Sequence, residues 1–155
     1  MNRDRTTTDR FFEAGGGRVN GSPSMKDVGI QAALKDPRSA SEKYQDLVIG
    51  SRDFFRLLHF ELVMMLSSCV PGALGLALRK ALYPTLLGSC GPGVVFGLDV
   101  TLRHPHKIHI GSGTVIDDHV LLDAKGVANQ GIRIGDHGFI GRNSILSCMD
   151  GDLVL

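Results

Sequence analysis

The sequence predicts a mainly-β chain: a left-handed parallel β-helix of about three coils, preceded by an apolar α-helical hairpin and a disordered N-terminal tail. Three observations carry this prediction. Aliphatic residues recur at every sixth position over long stretches, as at Leu98, Ile110, Ile116, Leu122, Ile134, Ile140 and Leu146. Glycine is abundant, at 20 of 155 residues, while aromatic residues make up 6% and Trp is absent, which suits tight turns around a narrow aliphatic interior. An apolar stretch centred on Pro71 and Gly72 precedes the repeat, and a Gly- and Ser-rich segment opens the chain.

Residues 1–40 are rich in Gly, Ser, Thr, Asp and Arg. So little apolar surface cannot offset the entropy of ordering, and a disordered tail is expected. Residues 41–88 form the second region, opened by Ser41 as an N-cap ahead of the acids in SEKYQDLV. Phe54, Leu57, Leu58, Glu61, Leu62 and Met65 then follow at helical spacing, and apolar residues soon occupy the whole circumference. Pro71 and Gly72 divide the uncharged run from Leu62 to Leu78. Proline lacks a backbone donor and glycine ends helices, so two short helices joined by a turn are expected. Each falls short of the about 20 apolar residues that a membrane crossing requires. Arg56, His59 and Glu61 interrupt the first, and Arg79 and Lys80 lie in the second. All-round hydrophobicity means burial: in protein, or in a membrane interface with the cations at the headgroups. Residues 54–87 fit both.

Residues 94–155 carry the period of six. Six residues make one short strand plus a corner, and three such faces close a coil of about 18 residues whose strands stack about 4.8 Å apart. Counting from Leu98 puts Leu98, Ile116 and Ile134 in one interior column, His104, Leu122 and Ile140 in a second, and Ile110, Ala128 and Leu146 in a third. Small or β-branched residues stand four positions after the anchors, as at Thr114, Val120, Gly126, Gly138 and Ser144. His104 takes a slot where an aliphatic residue is expected, which marks an irregular coil. The chain ends at MDGDLVL in mid-pattern, so a partial repeat that continues in a longer protein is expected.

The composition excludes several functions. A net charge of +1 and a pI near 7.8 give no basic excess for nucleic acid. Cys69, Cys90 and Cys148 form no CxxC pair, so reduced thiols in a cytoplasmic protein are expected, without a disulfide framework or structural zinc. No signal-peptide pattern opens the chain. Neither GxxxxGK[ST] nor GxSxG occurs, and Gly111–Gly113 reads as a repeat corner.

The stretches IGSGTVIDDHVLLDAKG and IRIGDHGFIGRNSILS, with the lead-in PGALGLALRKALYPTLLG and VTLRHPHKIHIG, resemble the hexapeptide-repeat acyltransferases, in particular the polysaccharide or sugar O-acetyltransferases. The likeness runs from Phe54 to Leu155. It implies transfer of an acetyl or similar acyl group from acetyl-coenzyme A to a sugar hydroxyl in polysaccharide or glycoconjugate synthesis. It further implies a homotrimer with active sites between adjacent prisms, acyl-coenzyme A and a sugar acceptor as binding partners, no metal, and work in the cytoplasm or at the inner face of the membrane. A histidine serves such enzymes as the general base, and backbone N–H groups stabilise the oxyanion. In the family that histidine lies in a later coil, so no residue carries over directly.

Three histidines are candidates for the base: His119, His137 and His106. His119 and His137 stand eighteen residues apart, which stacks them on one outer face of an 18-residue coil, at places where the repeat often has Asn. A structural role at a corner competes with catalysis there. His106 lies beside Pro105 in RHPHK. Two other functions are consistent with the fold: a non-catalytic trimeric scaffold attached to a membrane or partner through the hairpin, and a β-helical carbonic anhydrase. The latter needs three His ligands for zinc, and none lies a few residues beyond His137.

Overall fold

The structure, a computed structural model, describes residues 37–155. The tail expected over 1–40 falls outside the described residues as far as residue 36. Helix α1 (Ala40–Tyr44) is capped by Ser39 and not by Ser41. The Ser39 hydroxyl accepts from the Glu42 N–H at 3.2 Å, and the Glu42 carboxylate accepts from the Ser39 N–H at 2.9 Å. This reciprocal pair needs an acid three residues after the cap, and Ser41 has Tyr44 there. A wider π-helical turn, Gln45–Ile49, follows and stops at Gly50, whose φ of +72° suits glycine.

Helices α2 (Phe54–Ser67) and α3 (Gly72–Leu82) are separated at Pro71, as the sequence predicts. Asp53 caps α2 through the Phe55 N–H. Phe60 and Val63 turn inward, three residues apart on one face. Tyr44 ties α1 to α2 by donating to Glu61 at 2.5 Å; burial and then this carboxylate push its pKa up to about 12. No helix among the described residues is long and apolar enough to cross a membrane.

Arg79 does not lie at a headgroup boundary with Lys80. It is 3% exposed, and its guanidinium donates to the carbonyls of Ser67 (3.0 Å), Val70 (2.8 Å) and Phe96 (3.1 Å). These carbonyls belong to the end of α2, the turn and the first coil, so one cation joins three segments and satisfies acceptors that a helix terminus leaves open. Gly75 provides the space: a Cβ there would stand 1.7 Å from the Val70 oxygen.

After a 3₁₀ turn at Tyr83–Thr85 the chain winds into a parallel β-solenoid of about three turns. Its strands are β1 (Ser89–Cys90), β2 (Val95–Phe96), β3 (Thr101–Arg103), β4 (Ile108–Ile110), β5 (Val115–Ile116), β6 (Leu121–Asp123), β7 (Ile132–Ile134), β8 (Phe139–Ile140), β9 (Ile145–Ser147) and β10 (Leu153–Val154). They form three sheets, ordered β1-β4-β7-β10, β2-β5-β8 and β3-β6-β9.

The columns differ from an 18-residue count. Cys90, Ile110 and Ile134 stack in the first sheet, Phe96, Ile116 and Ile140 in the second, and Leu102, Leu122 and Leu146 in the third. Partners are twenty residues apart between the first two coils and twenty-four between the next two. Leu98, Ile116 and Ile134 therefore do not share a column. Nor do the other two trios: His104 is outside the strands, and Ala128 is exposed in a loop. The period of six holds within each coil and is reset between coils, because extra residues enter at one corner. That corner comprises His104–Lys107 in the first coil and residues 124–131 in the second. The second loop is tied down by the Lys107 ammonium, which donates to the Gly126 oxygen at 2.6 Å and to Asn129 Oδ1 at 3.0 Å. Gly126 belongs to this loop and not to a regular corner.

The interior is apolar and, apart from Phe96, mostly aliphatic. Phe96, Ile116 and Leu122 are fully buried, with Val94, Val100, Thr114 and Val120 filling the positions four after the anchors. The other two corners are four-residue turns whose third residue has positive φ: Gly93, Gly113 and His137 at one, Asp99, His119 and Asn143 at the other. Their N–H groups bond to the coil below, as from His137 to Ser112 and from His119 to Leu98, both at 2.8 Å.

Candidate functional site

The longer corner projects toward the helices, and a cavity of about 290 Å³ opens between them. α2 contributes Arg56, His59 and Phe60, the segment after α3 contributes Thr85, Leu86 and Leu87, and the corner contributes Pro105 and His106. Ile49 closes it from the π-helical turn. Local chemistry explains each placement. Arg56 and His59 lie three apart on one side of α2. His104 adopts φ +52°, a conformation that His tolerates better than most residues, and Pro105 then starts the short 3₁₀ turn that presents His106.

His104 and His106 lean on Gly50. A Cβ on Gly50 would lie 2.2 Å from His104 Cδ2 and 2.8 Å from His106 Cε1. The His104 N–H donates to the Val48 carbonyl at 2.7 Å, and its ring Nε2 faces the Asp46 carbonyl at 3.1 Å. A carbonyl only accepts, so Nε2 carries the proton and Nδ1 is the bare nitrogen. That Nδ1 is buried without a hydrogen-bond partner. Burial holds the His104 pKa below its ordinary value, against the opposing Asp46 carbonyl. The His106 pKa is also lowered, first by burial and then by its basic neighbours His104, Lys107 and Arg56, with the Ile49 backbone opposing. The His106 ring is therefore a neutral imidazole near pH 7, able to accept a proton.

His59 meets Thr85 with Nε2 at 3.0 Å from Oγ1, while the same hydroxyl lies 2.6 Å from the Leu82 carbonyl. The single hydroxyl proton goes to the carbonyl, so His59 donates to Thr85 and keeps Nδ1 unprotonated. Arg56 forms no ion pair with any described residue, and no carboxylate lines the cavity. The site thus combines one fixed positive charge, two imidazoles and a hydroxyl with apolar walls.

Of the three candidate histidines, only His106 lines this cavity. His119 sits on the β5–β6 turn with Nδ1 3.3 Å from Asp99 Oδ2, and His137 on the β7–β8 turn against Gly113. They occupy different corners and do not stack on one another. Among the described residues no group of three His, Cys, Asp or Glu side chains is placed to hold a metal. Sequence reasoning missed Arg56, His59 and Thr85 as site residues. The available signal was the pair of polar residues three apart in an apolar helix, which reads as an interruption until the neighbouring corner is known.

Fold and site define a parallel β-solenoid with a helical pair and a cationic cavity where the two meet. Comparison with protein-family models, curated proteins and solved structures finds no match to this chain.

Proposed function

We propose that the protein is an O-acyltransferase that moves an acetyl or similar group from acetyl-coenzyme A to a sugar hydroxyl, with His106 as the general base. One observation carries the assignment: a neutral imidazole on the wall of a cavity, presented by the solenoid corner. The sequence resemblance and the six-residue pattern within each coil support it. In this reaction the hydroxyl oxygen attacks the thioester carbonyl carbon while its proton passes to His106. The C–O bond forms, the C–S bond then breaks, and the proton leaves His106 for the departing thiolate. The products are an acetyl ester and free coenzyme A. The same proposal includes a homotrimer acting in the cytoplasm or at the inner membrane face, to be measured by sedimentation and fractionation.

The test is release of coenzyme A thiol from acetyl-coenzyme A in the presence of hexoses, N-acetylhexosamines and their alkyl-phosphate-linked forms. Acceptor-dependent release is expected, and His106→Gln is expected to slow it about 100-fold or more. Release that His106→Gln leaves unchanged removes His106 from the role. No release with any acceptor favours the second reading, a non-catalytic scaffold, which the exposed apolar side chains of α2 and α3 support.

A further inference from the structure

We infer that the sugar acceptor is carried on a hydrocarbon phosphate, its phosphate held by Arg56 and His59 and its hydrocarbon laid along the exposed flank of α2. The sugar in this inference rests on the acyl-transfer reading. The phosphate and hydrocarbon parts rest on the cavity and the helix alone.

Charge comes first. Arg56 lines a cavity whose walls are polar and apolar in about equal part, forms no ion pair with a described residue, and meets no carboxylate there. His59 stands three residues on along α2 and lines the same cavity. The acid within α2, Glu61, is engaged by the Tyr44 hydroxyl at 2.5 Å, and Asp53 at its N-cap accepts from the Phe55 N–H at 2.9 Å. A guanidinium with an imidazole beside it is the arrangement that binds a phosphate ester.

Size comes second. About 290 Å³ lies at the lower edge of ligand cavities, which run from about 300 to 1,000 Å³. It accommodates a sugar and a phosphate and leaves no room for a long chain, which must lie outside.

The third observation is what borders the site. Phe55 and Leu62 stand four before and three after His59, hence on the strip of α2 adjacent to it. Phe55 is 77% exposed and Leu62 43%, with Leu58 and Leu66 exposed beside them. A polar cavity continuous with bare apolar surface is complementary to an amphiphile, with its anionic head inside and its tail on the helix.

The full chain would be titrated, without acetyl-coenzyme A, against dodecyl phosphate, glucose 1-phosphate and octyl glucoside below their micellar concentrations. Dodecyl phosphate is expected to bind at least about tenfold tighter than either of the others. Arg56→Gln is expected to weaken dodecyl phosphate and glucose 1-phosphate by about tenfold and to leave octyl glucoside unchanged. Phe55→Ser with Leu62→Ser is expected to weaken dodecyl phosphate and to leave glucose 1-phosphate unchanged. All three substituted positions are on the surface, and an unaltered unfolding midpoint shows that each variant folds.

Equal binding of wild type and Arg56→Gln overturns the phosphate site. Glucose 1-phosphate as tight as dodecyl phosphate overturns the hydrocarbon part, and octyl glucoside as tight as dodecyl phosphate reduces the surface to a general apolar patch. Binding as expected with no thiol release rejects the transferase and keeps the amphiphile site. Thiol release without alkyl-phosphate binding does the reverse.

Discussion

Gly50, His104 and His106 depend on one another: the glycine's missing side chain is the space the two rings occupy. Both rings titrate below their ordinary value of 6.5 in the folded protein. As the pH falls, the unfolded chain therefore takes up protons first. The stability that depends on the neutral rings is complete above about pH 6.5 and is lost as the pH falls through the lowered folded values. The denaturant midpoint is expected to be level from about pH 8 to about pH 7 and to decline below about 6.5, with His104→Gln flattening part of the decline. A His104→Gln profile parallel to wild type would show that this ring does not couple to folding. The residue scale is also where sequence was least informative. His119 and His137 look like His106 on paper, yet positive φ at a tight corner accounts for them, while His106 gains its role from Gly50 and α2, more than forty residues away in the chain.

Elements were better read than residues. The split at Pro71 and the strands after Gly88 follow from local signals: a missing donor, and anchors six apart. The register between coils does not, because a count in sixes has no means of knowing where the chain pauses. Leu102 to Ile110 spans eight residues and Leu122 to Ile134 spans twelve, so the count slips at His104 and again at Ala128. The sequence leaves Arg79 open between protein and membrane interface for a related reason: a cation in an apolar helix cannot be assigned until three carbonyls are seen to converge on it. Removing it leaves the carbonyls of Ser67, Val70 and Phe96, the first and last of them buried, each short of one donor. Arg79→Ala is expected to cost about 3 kcal/mol or more, read from urea unfolding. A loss below about 1 kcal/mol would mean that water replaces the guanidinium there.

For the whole molecule, one apolar core extends from Ile49, Phe60, Val63 and Tyr83 in the helical segments to Phe96, Ile116, Leu122 and Ile132 in the coils. Residues Arg38–Leu155 form one compact unit. Helical and β signals are accordingly expected to disappear in a single denaturant transition with a shared midpoint. Separate midpoints would show that the coils stand without their helical cover.

All the variation in coil length falls between the β3-β6-β9 sheet and the β1-β4-β7-β10 sheet, in segments 104–107, 124–131 and 148–152. The remaining turns keep one length. This edge works like the spine of a ring binder, where pages of unequal width are held without disturbing the stack. A fluorescent label or short peptide spliced near Val127, whose side chain is wholly solvent-exposed, should be accommodated there, whereas the same graft at a four-residue turn would shear every coil above it.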